Sequence, residues 1–112
     1  MRVVQIALYK YISTESPPIV LLCSQDVSFV PFFQRWTVSE HCRFASRTVI
    51  QRTQQGQRQT VGLTEIPYVC HCYVRFDQLA GCILADQEYP QRVAFTLLSK
   101  VMADYEKLQP NW

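Results

Sequence analysis

The sequence has 112 residues, of which 48% are hydrophobic and 18% are charged, and its formal net charge is +2 at pH 7. This length and apolar content suit one compact domain, so we expect residues 1–112 to fold as one unit. The small, scattered positive charge disfavours nucleic acid as a partner. The longest apolar stretch, residues 19–23, is far shorter than the ~20 residues that cross a bilayer.

Cysteine usage indicates the compartment. The chain contains five cysteines, an odd number that argues against a disulfide framework, and all five lie in apolar stretches. We expect reduced, buried thiols at Cys23, Cys42, Cys70, Cys72 and Cys82. The N-terminus has neither the long apolar block of a secretory signal nor a glycine for myristoylation. The sequence therefore predicts a cytoplasmic protein.

The first half of the chain predicts two strands and a helix. Residues 3–10 and 19–24 are β-prone runs joined by a loop that contains two prolines. The segment 37–40, Thr-Val-Ser-Glu, matches a capping box, in which the threonine oxygen accepts a hydrogen bond from the first helical turn. The helix is predicted over 38–54 from its apolar spacing, and Gly56 is predicted to cap it in a left-handed conformation.

The second half predicts three strands and another helix. Residues 59–63 form a weak edge strand, and residues 68–75 and 79–85 form a hairpin. Because the segment 79–85 is apolar at nearly every position, it should lie centrally with both faces covered. Pro90 suits the first turn of a helix over 90–108. The apolar residues of this helix cover about half its circumference, so we expect another element to pack there.

The tripeptide Cys70-His71-Cys72 is the strongest candidate for a metal site, because thiolates and imidazole bind zinc. In a strand the two thiols share one face and His71 points to the other, and no second Cys or His pair lies nearby in the sequence. We therefore predict no metal. No phosphate-binding glycine loop and no acidic pair is recognisable, so we predict no cofactor and no enzymatic activity. A thiol enzyme that pairs a cysteine with His41 or His71 remains the alternative.

Exposed aromatic and basic residues are the candidate binding features. Phe44 lies roughly 120° from the apolar stripe of the first predicted helix, so it should be at least partly exposed. It either binds a partner or packs against a neighbouring strand. Aromatic residues just before this helix are expected to be core or staple contacts, with a binding groove as the alternative. These are Phe29, Phe32, Phe33 and Trp36.

The arginines of the same helix are expected to form a solvated face, with acidic lipid headgroups as the alternative target. They are Arg35, Arg43, Arg47 and Arg52.

Several strings in the sequence resemble one protein family. They are Asp-Val-Ser at 26–28, Phe-Phe-Gln-Arg at 32–35, Tyr-Val-Cys-His-Cys-Tyr-Val-Arg at 68–75, Leu-Ala-Gly at 79–81, and the run from Ala85 to Leu98. These strings resemble the longin domains of R-SNAREs, in particular those of the lipid-anchored Ykt type. The resemblance implies an α+β, profilin-like fold in which helices sandwich a five-stranded antiparallel sheet. The implied order is ββαβββα, and a last helix is truncated or absent.

The resemblance also implies a function, the N-terminal regulatory domain of an R-SNARE in vesicle-membrane fusion. The implied groove lies between the first helix and the third strand. It would receive a SNARE motif, of the same or a partner chain, or a prenyl or acyl chain, and so hold a closed, autoinhibited state. The implied groove residues are Phe44, His41, Thr48, Phe33 and Trp36. The implied location is the cytoplasm, with peripheral association to Golgi and endomembrane vesicles through regions outside this sequence.

One alternative within the same resemblance is a stand-alone longin subunit that assembles with trafficking-complex proteins. The wide apolar face of the second helix motivates it, with dimerisation through Leu98 and Met102. Because the sequence ends at Trp112, we expect the SNARE motif and the lipidation box of the resembled proteins to lie outside it. The chain is then either an excised domain or a free-standing longin protein.

Overall fold

The computed structural model describes residues 2–64 and 66–112. The described residues form five strands, two α-helices and one short 3₁₀ turn, Phe32–Gln34. The strands and helices are β1 (Val3–Lys10), β2 (Ile19–Gln25), α1 (Arg35–Arg52), β3 (Arg58–Gly62), β4 (Val69–Val74), β5 (Leu79–Ala85) and α2 (Gln91–Leu108). The predicted order ββαβββα is confirmed.

The strands form one antiparallel sheet in the order β2-β1-β5-β4-β3. Both helices pack over β4 and β5, and each buries a separate apolar cluster. Cys42 and Ile50 of α1 belong to one cluster, whereas Leu98 and Met102 of α2 belong to the other. The sheet is therefore sandwiched between helices, as the resemblance implied.

Strand β5 is central in the sheet and pairs with β1 and β4. All of its residues are buried, which confirms the prediction made from its uninterrupted apolar sequence. Gly81 allows α2 to approach this strand closely. A Cβ atom at this position would lie 2.8 Å from side-chain atoms of both Leu8 and Leu98, a distance that is too short for van der Waals contact.

Helix α1 begins at Arg35, so the predicted start at Val38 is wrong. The segment 37–40 lies inside the helix, and no side chain caps the helix N-terminus. The 3₁₀ turn runs directly into α1, and the Arg35 N–H donates to the Phe32 carbonyl. This preceding turn supplies the first helical hydrogen bonds that the predicted capping box was expected to supply.

The predicted end of the first helix is also wrong, since α1 ends at Arg52 and Thr53 is extended. Thr53 is fully buried, and its hydroxyl lies 3.3 Å from the Cys72 sulfur. This buried contact accompanies the turn of the chain away from the helix axis. Gly56 has the predicted left-handed conformation, with φ of 83°, but it lies in the turn before β3. Its N–H donates to the Val74 carbonyl over 2.6 Å.

The remaining elements agree closely with the sequence. β3 is an edge strand that pairs only with β4 among the described strands, and β4 and β5 form the predicted hairpin. Gln78 closes the hairpin loop with a φ of 77°. Pro90 is the N-cap residue of α2, just before its first helical residue.

Candidate partner-binding site

Phe44 lies on the solvent side of α1. The opposite face of the helix buries Cys42, Ser46 and Ile50 against the sheet. Because these residues recur at helical spacing, Phe44 points away from the sheet and is 66% exposed. The prediction that Phe44 is at least partly exposed is confirmed.

A buried hydrogen-bonded network fixes α1 over β1 and β2. The side-chain amide of Gln5 donates to the hydroxyl of Ser46, and that of Gln25 donates to the side-chain oxygen of Gln5. Ser39 donates to the side-chain oxygen of Gln25. Gln25 also donates to the Ser39 backbone carbonyl at 3.1 Å, so the network ties α1 to β1 and β2 and helps to set the position of Phe44.

The first groove beside Phe44 lies between α1 and β3 and encloses about 420 Å³. His41, Phe44 and Thr48 line it from the helix, so the structure brings three of the five predicted site residues together. Its other wall comes from β3 and the loop that follows. The residues of that wall are Val61, Gly62, Leu63, Thr64 and Ile66.

A second groove lies on the other side of Phe44, between α1 and β2, and encloses about 510 Å³. Tyr9, Val20 and Cys23 line it from the strands. His41 and Phe44 line both grooves. Phe44 is therefore a ridge between two grooves, whereas the resemblance implied only the groove beside β3.

Phe33 and Trp36 line neither groove. They lie in the 3₁₀ turn and the first turn of α1, where their exposed fractions are 81% and 75%. The expectation that the aromatic residues before the helix are mostly core contacts is wrong, because Phe32 is also 82% exposed. Phe29 is less exposed, and its ring meets Tyr68 edge to face at 6.5 Å.

The arginines of α1 are arranged differently from one another. Arg43, Arg47 and Arg52 are exposed, as predicted for a solvated face, and Arg43 pairs with Glu40 at 2.8 Å. Arg35 departs from the prediction. Its guanidinium donates to two backbone carbonyls of the preceding loop, at 2.9 Å each, and it is only partly exposed. Arg35 therefore stabilises the loop that carries the exposed aromatics.

The cysteines and histidine of β4 are separated by the sheet. Cys70 and Cys72 lie in the cluster under α1, whereas the ring of His71 meets that of Phe95 of α2 at 5.8 Å. Burial raises the pKa of Cys72 to about 11, and it raises the pKa of Cys42 to the same value. A thiol that stays protonated at neutral pH is a poor nucleophile, so these cysteines are structural.

Sequence reasoning named the third strand as a wall of one groove but none of its residues, and it missed the second groove. On the β3 side, Val61 pairs with Cys70, which places its side chain on the α1 face of the sheet. The alternation of Gln59, Val61 and Leu63 could have indicated this wall. On the β2 side, Val20 pairs with Tyr9. That wall depends on which strands are neighbours, and the sequence alone does not give this order.

In the part of the chain that the structure describes, neither helix combines the length and apolarity that a membrane crossing requires.

A comparison with protein-family models agrees with the fold. The model of the longin family, described as a regulated-SNARE-like domain, matches residues 19–111. The chain therefore belongs to the longin family.

Curated relatives narrow the family to one type. The chain is 47% identical over 91 residues to the Synaptobrevin homolog YKT6 of Yarrowia lipolytica, covering 81% of this chain and 44% of the relative. It is 39% identical over 112 residues to the Synaptobrevin homolog ykt6 of Schizosaccharomyces pombe, covering 99% of this chain and 54% of the relative. The chain spans about half the length of these relatives. The resemblance to a Ykt-type longin domain is thus confirmed.

The same relatives bear on catalysis. They are SNAREs, a non-enzymatic family, which confirms the prediction that the chain is not an enzyme. The thiol-enzyme alternative loses its basis at Cys42 and Cys72, whose raised pKa values keep them protonated.

Proposed function

We propose that this chain is the regulatory longin domain of an R-SNARE that acts in vesicle-membrane fusion. In this proposal a SNARE motif, of the same or a partner chain, occupies the groove between α1 and β3. The observation that carries it is the 66% exposure of Phe44 between two grooves. Leaving a large aromatic side chain in water costs about 25 cal/mol per Å² of apolar area, which an amphipathic helix would relieve.

The chemistry of the α1–β3 groove fits such an occupant. Val49, Leu63 and Ile66 supply an apolar floor, while His41 and Arg52 supply polar groups at the helix side. An amphipathic helix places apolar residues on the floor and polar residues at the rim. A prenyl or acyl chain would use the same floor without the polar rim. Both occupants would hold the longer protein closed and autoinhibited.

The groove is also bordered by an open strand edge. β3 has no strand neighbour on its outer side among the described residues, so its outward N–H and C=O groups are available to an added extended segment. A partner that continued from a helix into a strand would use both the groove and the strand edge.

The proposed function also implies a location, the cytoplasmic face of Golgi and endomembrane vesicles. Attachment to these membranes would be through other regions of the longer protein.

Nuclear magnetic resonance tests the proposal directly. The isotope-labelled chain is titrated with an R-SNARE-motif peptide, with and without an attached acyl or prenyl chain. We expect saturable shifts at the amides of His41, Phe44 and Thr48 and at those of β3. Shifts confined to the lipidated peptide would identify the lipid as the occupant. An absence of shifts with both ligands would contradict the proposal.

The alternative of a stand-alone assembly subunit has less support. It was expected to dimerise through Leu98 and Met102, but these side chains are 0% and 1% exposed and pack on the sheet. That predicted dimer surface is wrong. The exposed large apolar residues of α2 are Val93 and Leu108, which lie near opposite ends of the helix.

A further inference from the structure

A second exposed apolar surface lies at the N-terminal end of α1. It consists of Phe32, Phe33 and Trp36, and we call it the aromatic tip. The three side chains are 82%, 81% and 75% exposed. Trp36 follows the two phenylalanines at helical spacings of four and three, so the rings lie on one side of the turn. Exposed apolar groups that cluster in this way mark an interaction surface.

The backbone beneath the aromatic tip is held in place. Arg35 donates from Nε to the Val30 carbonyl and from Nη2 to the Ser28 carbonyl, at 2.9 Å each. The Gln34 N–H donates to the Pro31 carbonyl at 2.8 Å. The rings are thus presented by an ordered turn, and binding through them would cost little backbone entropy.

Positive charge continues from the aromatic tip along α1. Arg43 and Arg47 follow Trp36 on the same side of the helix, at spacings of seven and eleven residues. The whole helix carries four arginines and one glutamate, Glu40. The guanidinium of Arg35 donates to neutral carbonyls and lies 5.7 Å from the centre of the Phe32 ring.

Aromatic rings beside arginines suit the headgroup region of a bilayer. Tryptophan and phenylalanine partition into this region, and arginines near the surface are attracted to anionic lipids. Tryptophan and arginine are also enriched in protein interfaces, but there they fill pockets. The aromatic tip lines neither groove beside Phe44 and projects into solvent.

We propose that the aromatic tip inserts into the interfacial region of an anionic bilayer, while Arg43 and Arg47 bind its headgroups. This contact would lay one end of α1 on the membrane. It goes beyond the proposed regulatory function and does not depend on it, because it uses neither Phe44 nor the α1–β3 groove.

Vesicle binding tests the proposal, and Trp36 is a built-in probe. The chain has two tryptophans, so a Trp112→Phe variant leaves Trp36 as the only one. The vesicles are phosphatidylcholine with and without phosphatidylserine. We expect flotation with the anionic vesicles, a blue shift of the Trp36 emission, and quenching by brominated lipid. Neutral vesicles should bind at least roughly tenfold more weakly.

Matched variants separate the two parts of the contact. The double variant Phe32→Ser/Phe33→Ser should weaken anionic-vesicle binding by roughly tenfold or more. Phe76→Ser removes an aromatic that is also 81% exposed but lies on the β4–β5 loop, and it should bind normally. To test the charge, the double variant Arg43→Gln/Arg47→Gln should bind anionic vesicles roughly tenfold more weakly than wild type. The control Lys100→Gln/Lys107→Gln on α2 should lose much less affinity for them. Circular dichroism confirms folding of each variant.

Two outcomes would overturn the proposal. One is that the wild-type chain fails to bind anionic vesicles, and the other is that the Phe32→Ser/Phe33→Ser variant binds them as well as wild type does. If the wild-type chain fails to bind vesicles and this variant also loses binding to a SNARE-motif peptide, the surface belongs to a protein partner. None of these outcomes depends on the amide shifts expected around Phe44, so the two proposals fail separately.

Discussion

The side chains of Gln5 and Ser46, which are 41 residues apart, form a hydrogen bond inside the protein. Gln5 is 1% exposed and Ser46 is fully buried. The Ser46 hydroxyl in turn donates to the Cys42 carbonyl within α1. This pair therefore links the first strand to the helix that carries Phe44, and it couples the stability of the core to the position of the candidate site.

Replacing Ser46 with alanine should reveal the strength of this link. The change leaves the buried Gln5 amide without its acceptor, so the free energy of unfolding should fall by about 1–3 kcal/mol. Urea titration measures this free energy, with Ser99→Ala on the exposed side of α2 as the control. The Gln5→Leu change should lower the free energy of unfolding less in the Ser46→Ala background than in wild type. A Ser46→Ala protein as stable as wild type would contradict the role of the pair.

Gly56 should tolerate no side chain. Its φ is 83°, and a Cβ atom would lie 2.2 Å from the Phe76 ring. Gly56→Ala should therefore lower the free energy of unfolding by roughly 1–3 kcal/mol. Gly62→Ala is the control, since a Cβ there meets nothing within 4 Å. Adding Phe76→Ala to the Gly56→Ala variant should restore only the part of the lost free energy of unfolding that comes from the clash with the ring. Equal stability of the two glycine variants would show that the turn is not strained.

Stability should fall as the pH drops below neutrality because of His71. Burial lowers the pKa of His71 from its ordinary value of 6.5. The unfolded chain then binds a proton at higher pH than the folded chain does. The contribution of neutral His71 to the free energy of unfolding is complete above about pH 7. It is lost as the pH falls through 6.5 towards the pKa of His71 in the folded chain. Within the described residues, Nε2 of His71 is buried with no hydrogen-bond partner, so the Nε2–H of the doubly protonated ring would be unpaired.

Urea titrations between pH 8 and about 5.5 measure this effect. The His71→Asn variant should show a weaker dependence on pH over this range than wild type. His41→Asn is the matched control, because His41 is exposed, and it should keep the wild-type dependence. Identical pH profiles for wild type and His71→Asn would exclude His71 as the titrating group.

One thiol should dominate the reaction of the native protein with iodoacetamide. Cys23 is partly exposed, whereas the other four cysteines are buried. Burial raises the pKa of Cys42 and Cys72 to about 11, and a hydrogen bond with Cys82 together with burial raises the pKa of Cys70. Mass spectrometry at pH 8 should find one fast modification, which Cys23→Ser abolishes. A second modification at a similar rate would show that a cysteine other than Cys23 is accessible in the native protein.

Phe44→Glu should separate binding from folding. Because Phe44 is 66% exposed, its replacement should change the free energy of unfolding by less than about 1 kcal/mol. The charged side chain would face the apolar floor of the groove, so the affinity for a SNARE-motif peptide should fall by about tenfold or more. Phe76→Glu changes an exposed aromatic on the β4–β5 loop and should bind normally. Calorimetric titration gives both affinities, and an unchanged affinity in Phe44→Glu would contradict the proposed site.

Local sequence patterns predicted the elements better than their ends. The apolar run 79–85 identified the central strand because burial on both faces leaves no polar position. The start of α1 was mispredicted at Val38, since residues 37–40 fit a capping box. The actual helix follows directly on the 3₁₀ turn, and the guanidinium of Arg35 reaches the carbonyls of the loop before that turn. Such a contact between a side chain and a preceding backbone leaves no pattern in the sequence.

The candidate site was predictable where it depends on one helix. The exposure of Phe44 follows from helical spacing alone, since its own helix decides which face is buried. Phe33 and Trp36 were assigned to the same groove through the family resemblance, and the structure places them away from it. Their exposure was unexpected because large aromatics are normally buried, and no described element covers the turn that carries them.

The position of β5 also constrains how the protein is made. β1 is near the N-terminus, yet its inner edge is filled by β5, with Val3 opposite Ala85. During synthesis the β1–β2 hairpin can form early, but its inner edge stays open until β5 has left the ribosome. Pairing of such distant segments is slow, and an open edge invites association with other chains. Nascent chains that stop before Leu79 should therefore require chaperone protection, whereas chains that extend beyond α2 can complete the sheet.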